Sequence, residues 1–175
     1  MKLSVIIPTL NESEYLRATV LSAREKSVLG KRHEIIVVDS GSTDGTIAIA
    51  QELGVILISF EPKMLGRAHA LNKGASYATG DVFLFLDADT IPPMGYDKAI
   101  QTALEAPDIV GGAFEFALDG GAFGLRIVEL VNRIRYRISG LYYGDQGVFV
   151  RAGIFRILGG YPPRRILESY HFVEP

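Results

Sequence analysis

The stretch that most constrains this chain is Val82-Phe83-Leu84-Phe85-Leu86, an unbroken apolar run that ends at once in Asp87-Ala88-Asp89 and soon after in Pro92-Pro93. A run of this length, rich in Val and Phe, predicts a strand buried on both faces, as in a parallel sheet. Two acids at the end of such a strand need a reason. Open α/β sheets bind their ligands in the crevice beyond the carboxyl ends of the strands, and Asp87 and Asp89 fall there. One residue apart in extended backbone, their side chains would share a face. Two carboxylates that close repel, and a divalent cation is the usual way to keep both ionised. Hard oxygen ligands suit Mg2+ or Mn2+, which in turn hold substrate phosphates. A solvated acidic turn closing a strand would show the same three residues.

Bulk properties narrow the class. The chain has 175 residues, 48% hydrophobic and 22% charged, the composition of one ordinary globular domain. A net charge of −2 gives no global sign of a nucleic-acid partner. With no cysteine, disulfides and thiolate metal sites are excluded. The opening Leu3-Ser4-Val5-Ile6-Ile7-Pro8 is too strand-like for a signal peptide, and no apolar run approaches the ~20 residues of a membrane span. The expectation is a cytoplasmic protein, or one facing the cytoplasm.

Taken in order, strands and helices alternate. Leu3 to Ile7 is a first strand ended by Pro8, and Asn11 or Ser13 could cap a helix from about Glu14 to Lys26 with Tyr15, Leu16, Val20 and Ala23 inward. His33 reads as an inert surface histidine. Glu34 to Val38 is a second strand, feeding the loop Asp39 to Thr46, in which Asp44 or Thr43 can cap a helix from Thr46 to Leu53. An acid at that strand end, Asp39, is placed to meet a ribose hydroxyl. No G-x-G-x-x-G follows the first strand and no Walker A lysine is present, so ordinary dinucleotide and P-loop sites are excluded. A strand from Val55 to Ser59 and a helix from Gly66 to Tyr77 lead to the central strand. Arg67, near that helix start, could reach a phosphate or a base. Tyr96 to Glu105 is a helix, and Ile109 to Leu118 a half-exposed strand. Residues 123–143 form the longest helical candidate, one apolar stripe backed by Arg126, Arg133, Arg135 and Arg137. Such a basic amphipathic helix can lie on an anionic membrane surface or meet a phosphorylated substrate, though most are core helices with a soluble outer face. A strand at Val148 to Val150 and a short helix from Gly153 to Leu158 follow. The pattern predicts one α/β domain, with a mixed, mostly parallel, Rossmann-like sheet flanked by helices.

These motifs together resemble the family 2 glycosyltransferases of GT-A fold. Val5-Ile6-Ile7-Pro8-Thr9-Leu10-Asn11-Glu12 is similar to the family's opening strand and nucleotide loop. Val37-Val38-Asp39-Ser40-Gly41-Ser42-Thr43-Asp44-Gly45-Thr46 resembles its second nucleotide motif. Gly66-Arg67 with Asn72-Lys73-Gly74-Ala75 and Thr79-Gly80-Asp81 resembles the approach to its D-x-D, which is Asp87-Ala88-Asp89. Gly111-Gly112-Ala113-Phe114 and Tyr143-Gly144-Asp145-Gln146-Gly147 through Arg151 resemble acceptor-side motifs of a bacterial subgroup. The resemblance implies transfer of a sugar from a UDP- or GDP-linked donor, with inversion. It divides the chain into a nucleotide-sugar half, 1–106, and an acceptor half, 107–175. Pro8, Thr9, Asn11, Glu12, Asp39 and Ser42 would surround base and ribose, with Arg67 assisting. Asp87, Ala88 and Asp89 would also line the nucleotide-sugar site, Asp87 touching the ribose or the metal's shell, and Asp89, with Asp87, would hold Mn2+ or Mg2+. The acceptor is left open, with a lipid-linked one compatible with the arginines of 123–143 and peripheral membrane contact.

The departure from the family lies near the end. Its acidic pair would fall at Glu168-Ser169, so the aspartate is replaced by serine, and the chain stops at Pro175, short of the family's usual final helices. An inverting transfer needs a base within reach of the acceptor hydroxyl. Glu168 could serve, and Asp145 is a weaker candidate. The alternative is a nucleotide-sugar-binding module that does no chemistry. Phe85 to Thr90 also resembles the nucleophile strand of haloacid-dehalogenase-type phosphatases, but that chemistry needs a downstream lysine, and none follows Lys98.

Overall fold

A computed structural model describes residues 1–30, 33–60, 66–114 and 147–162. They form a six-stranded sheet with helices on both faces. The elements are β1 (Leu3–Thr9), α1 (Leu16–Glu25), β2 (Glu34–Asp39), α2 (Thr46–Glu52), β3 (Ile56–Ser59), α3 (Gly66–Tyr77), β4 (Val82–Phe85), α4 (Tyr96–Ala103), β5 (Gly111–Ala113), β6 (Val148–Arg151) and α5 (Ala152–Ile157). The order across the sheet is β3-β2-β1-β4-β6-β5. The first four neighbours are parallel, while β6 runs antiparallel to β4 and β5 antiparallel to β6.

The apolar run behaves as expected. All four residues of β4 and the following Leu86 are buried. Successive side chains of β4 point to opposite faces. Val82 and Leu84 join Leu3, Val5, Leu16, Val20, Tyr96 and Ile100 on one side. Phe83 and Phe85 join Ile6, Leu71, Phe155 and Tyr161 on the other. On that second face Phe85 lies 5.1 Å from Phe155 and 5.0 Å from Tyr161, ring centroid to centroid. Each such aromatic stabilises the fold by roughly 2–3 kcal/mol through burial alone.

Several expectations are corrected. Pro8 does not end β1. The carbonyls of Lys2 and Ile6 accept bonds from the β4 side, so even-numbered residues of β1 point there. Pro8's missing N–H therefore faces a stretch where the β1–β4 ladder has already closed at Ile6 and Phe85. Neither Asn11 nor Ser13 caps α1; Tyr15 is its N-cap, makes no side-chain cap bond and is 47% exposed rather than inward. Glu12's carbonyl accepts the first amides instead, from Tyr15 N at 3.2 Å and Leu16 N at 3.0 Å. Gly45 stands at the cap of α2, and Asp44 acts from one residue farther out, its Oδ1 accepting from Thr46 N at 2.9 Å. His33 is not a surface residue: its side chain is 7% exposed and its Nε2 lies 2.9 Å from Asp97 Oδ2. The expected strand Ile109 to Leu118 is seen as Gly111–Ala113. Its part beyond Phe114, the helical candidate at 123–143, Asp145 and Glu168 lie outside the described residues.

Candidate active site

The strand order creates the site. Strands β1, β2 and β3 progress in one direction, and β4 then returns to the free side of β1. The loops after β1 and β4 therefore depart in opposite directions, leaving a crevice at their carboxyl ends, which is where doubly wound sheets bind ligands.

The loops after β1 and β2 are stitched together. Thr9 and Asp39 are register partners at the ends of their strands, and Thr9 Oγ1 donates to Asp39 Oδ2 at 3.0 Å. Asp39 has no exposed surface. Its Oδ1 accepts from Gly41 N and Ser42 N, both at 2.9 Å, and its Oδ2 also accepts from Ser42 Oγ. A buried carboxylate with this many donors is well compensated. The Asp39 carboxylate is thus spent on folding its own loop. Three successive amides of the first loop are then held by side chains of the second. Asn11 N donates to Ser42 Oγ at 2.8 Å, Glu12 N to Thr46 Oγ1 at 2.8 Å, and Ser13 N to Asp44 Oδ2 at 3.1 Å. Asn11 replies through Oδ1, which accepts from Thr43 N at 2.9 Å. It does so at φ 59, the left-handed region that asparagine tolerates better than most residues.

On the other wall stands the acid pair. Leu86 N donates to Ile6 O at 3.0 Å, continuing the β1–β4 pairing, and the chain then turns, with Thr90 N donating to Asp87 O at 3.1 Å. The extended geometry that would put Asp87 and Asp89 on one face is therefore replaced by a turn. Ala88 is buried between them because its carbonyl accepts from Thr19 Oγ1 at 2.6 Å. Asp87 is turned toward α3, where Arg67 donates to its Oδ1 from Nε at 3.1 Å and from Nη2 at 2.6 Å. Asp89 is exposed.

Electrostatics tie the two walls together. Burial pushes the Glu12 carboxyl above its ordinary value, and Asp89, Asp87 and Asp44 add to the rise in that order. Glu12 thus feels both acids of the turn, and negative charge accumulates across the crevice. Among the described residues no three acids or histidines come close enough to form a metal cage. That donor set still fits Mg2+ or Mn2+, which bind through one or two carboxylates and take their other ligands from water and substrate phosphates.

Pro8, Thr9, Asn11, Glu12, Asp39, Ser42, Arg67, Asp87, Ala88 and Asp89 therefore all lie on these loops, with Arg67 carried in from α3. Two contributors escape the sequence reading. Thr19 anchors the acid turn, and its signal is a lone polar residue on the otherwise apolar inner stripe of Leu16, Val20 and Ala23. Thr46, which closes the second nucleotide motif and is expected to begin a helix, holds the backbone of Glu12, a role that nothing local marks.

A mixed, mostly parallel sheet with a switch-point crevice and acids at the β4 end is the GT-A glycosyltransferase architecture. Residues 4–158 match Glycosyl transferase family 2, and the chain belongs to that family. Two curated relatives are both undecaprenyl-phosphate 4-deoxy-4-formamido-L-arabinose transferases. One, from Enterobacter sp. (strain 638), is 33% identical over 158 residues, covering 86% of this chain and 48% of its own length. The other, from Klebsiella pneumoniae (strain 342), is 32% identical over 161 residues with the same two coverages. The chain spans about half the length of these relatives. A solved mannosyltransferase from Pyrobaculum calidifontis, in complex with GDP-Man and Mn2+, shares the fold. Its TM-score is 0.75 at 23% identity, over 97% of this chain and 50% of that one.

Proposed function

We propose that this chain binds the nucleotide diphosphate of a UDP- or GDP-linked sugar across the β1–β4 crevice and transfers the sugar, with inversion, to an acceptor. The observation that carries this reading is the convergence of Thr9–Asp39, Arg67–Asp87 and Asp89 at the switch point of a family 2 chain. The stitched loops present Pro8, Thr9, Asn11, Glu12 and Ser42 to the base and ribose, and Asp39 shapes that surface from beneath through its bonds to Thr9, Gly41 and Ser42. Arg67, Asp87, Ala88 and Asp89 face the diphosphate. Asp89, with Asp87, would hold Mn2+ or Mg2+, and when bound the cation stabilises the charge that develops on the leaving diphosphate. Glu168 or Asp145 takes the proton of the acceptor hydroxyl. The names of the two curated relatives support a lipid-linked phosphate as acceptor. In that setting the chain works at the cytoplasmic face of a membrane, with 123–143 as its peripheral contact. Among the described residues no helix is long and apolar enough to cross a membrane.

The test is calorimetric titration of UDP, GDP and their sugars, with and without Mn2+, on this chain and on Asp89→Asn. Metal-dependent binding of one diphosphate nucleotide, weakened at least about tenfold in the variant, is expected; no binding under any condition refutes the reading. A second reading, a binding module without transfer, is favoured by Glu168-Ser169 where an acidic pair is expected. Turnover appearing only in Ser169→Asp would establish it, and turnover in the unaltered chain would remove it.

A further inference from the structure

We infer that Arg67 competes with the divalent cation for Asp87, so that the site takes up cation and nucleotide diphosphate together and disfavours the cation alone. The inference rests on the donor-site reading above and adds to it an order of events at Asp87. Two nitrogens of Arg67 converge on a single oxygen, Asp87 Oδ1. The pair is partly shielded, with side chains 26% and 24% exposed. A guanidinium keeps its charge at every accessible pH, so Arg67 neutralises Asp87 permanently while it stays there.

A cation ligated by the same oxygen would sit ~2.1 Å from it. That leaves it within roughly 5 Å of the guanidinium carbon, where like charges in a partly desolvated crevice repel strongly enough to cost about tenfold in affinity. Arginine on Asp87 Oδ1 and a cation on Asp87 Oδ1 therefore exclude one another. Arg67 has an alternative partner of matching geometry. It is the second residue of α3, its backbone fixed by the helix while its long side chain can swing. A diphosphate offers paired oxygens to the same planar fork that holds the carboxylate. When the nucleotide arrives, Arg67 passes from Asp87 to phosphate, and Asp87 becomes available to the cation beside Asp89.

The experiment measures Mn2+ binding by the loss of the free-ion electron paramagnetic resonance signal. The proteins are the unaltered chain, Arg67→Gln and Arg67→Lys, each alone and with UDP or GDP, with melting curves to show that all are folded. Arg67→Gln should bind Mn2+ alone at least about fivefold tighter than the unaltered chain, and nucleotide should tighten its Mn2+ binding by a smaller factor. Arg67→Lys keeps the charge and should stay within about twofold of the unaltered chain for Mn2+ alone. The gain from Arg67→Gln should vanish in an Asp87→Asn background, because the competition needs that carboxylate. If Arg67→Gln does not fold, Arg67→Met serves the same comparison. Unaltered or weaker Mn2+ binding by the uncharged variant overturns the inference while leaving donor binding intact. Failure of the unaltered chain to bind Mn2+ even with UDP and GDP would overturn the donor-site reading along with it.

Discussion

Asp97 stands in the first turn of α4 with no exposed surface. Its oxygens accept from Ser27 Oγ at 2.7 Å, Leu29 N at 2.8 Å, Val28 N and, at 2.9 Å, His33 Nε2. One side chain thus fastens the exit of α1 and the approach to β2 onto α4. Burial works to raise its pKa, but the bonds from His33, Ser27, Leu29 and Val28 outweigh it and hold the carboxyl well below the usual carboxylate range. Because the folded pKa is depressed, the stabilisation is complete above the unfolded value of about 4 and is lost progressively as pH falls below it. Asp97→Ala leaves five donors, those four and Lys98 N, without their acceptor and should cost about 3 kcal/mol at pH 7, read as a lower urea midpoint. The gap between the variant and the unaltered chain should shrink as acid protonates Asp97. A variant as stable as the parent at neutral pH would show that water satisfies those donors. Nothing about His33 in the sequence signals this, because its partner lies 64 residues away.

At the scale of elements, α3 carries the strongest packing constraint. Its expected bounds, Gly66 to Tyr77, are those observed, with Ala68, Ala70, Leu71 and Ala75 as its buried side. Gly74 has a reason that only the sheet reveals. A Cβ there would lie 2.5 Å from Ile6 Cγ2 and 2.9 Å from Val38 Cγ2. The glycine lets the helix lie against β1 and β2, and so sets where Arg67 meets Asp87. Gly74→Ala should lower stability by about 2 kcal/mol in urea unfolding, with a parallel loss of nucleotide affinity as α3 is pushed outward. Gly153 on α5 meets nothing within 4 Å of an added Cβ. Gly153→Ala should therefore be neutral or stabilise by up to ~1 kcal/mol. Equal effects at the two positions would contradict this packing.

For the molecule as a whole, the segment from β6 to Tyr161 is locked to the preceding elements through the sheet and through the side chains of Arg151, Arg156 and Asn72. β6 pairs with β4, and Arg151 at its end donates to Leu104 O at 2.6 Å and Ile109 O at 3.1 Å, tying it to the exit of α4. On the opposite face Asn72 of α3 exchanges two bonds with the backbone of Tyr161, Nδ2 donating to Tyr161 O and Tyr161 N donating to Oδ1, both at 2.8 Å. This clamp seats the Tyr161 ring against Phe85 and Phe155. Asn72→Ala should cost about 2 kcal/mol and accelerate amide exchange at Tyr161 well before the β1 amides are affected. Uniform acceleration across the sheet would instead mean that the clamp opens only with global unfolding.

The sequence by itself determined the strands, the helices and the loops that carry chemistry. Apolar runs and their breakers are local signals, and the motif of Asp87-Ala88-Asp89 with the loops at Thr9–Glu12 and Asp39–Thr46 is readable in single segments. It did not determine what those residues do to one another. That Pro8 can continue a strand depends on where β4 ends beside it. The Thr9–Asp39 bond, the three amides of residues 11–13 held from residues 42, 44 and 46, and the Arg67–Asp87 pair all join segments far apart in the chain. Only the strand order β3-β2-β1-β4 brings these segments to one crevice. Periodicity reports the environment of a residue and its near neighbours, whereas partners 20 or more residues away are chosen by the folded sheet.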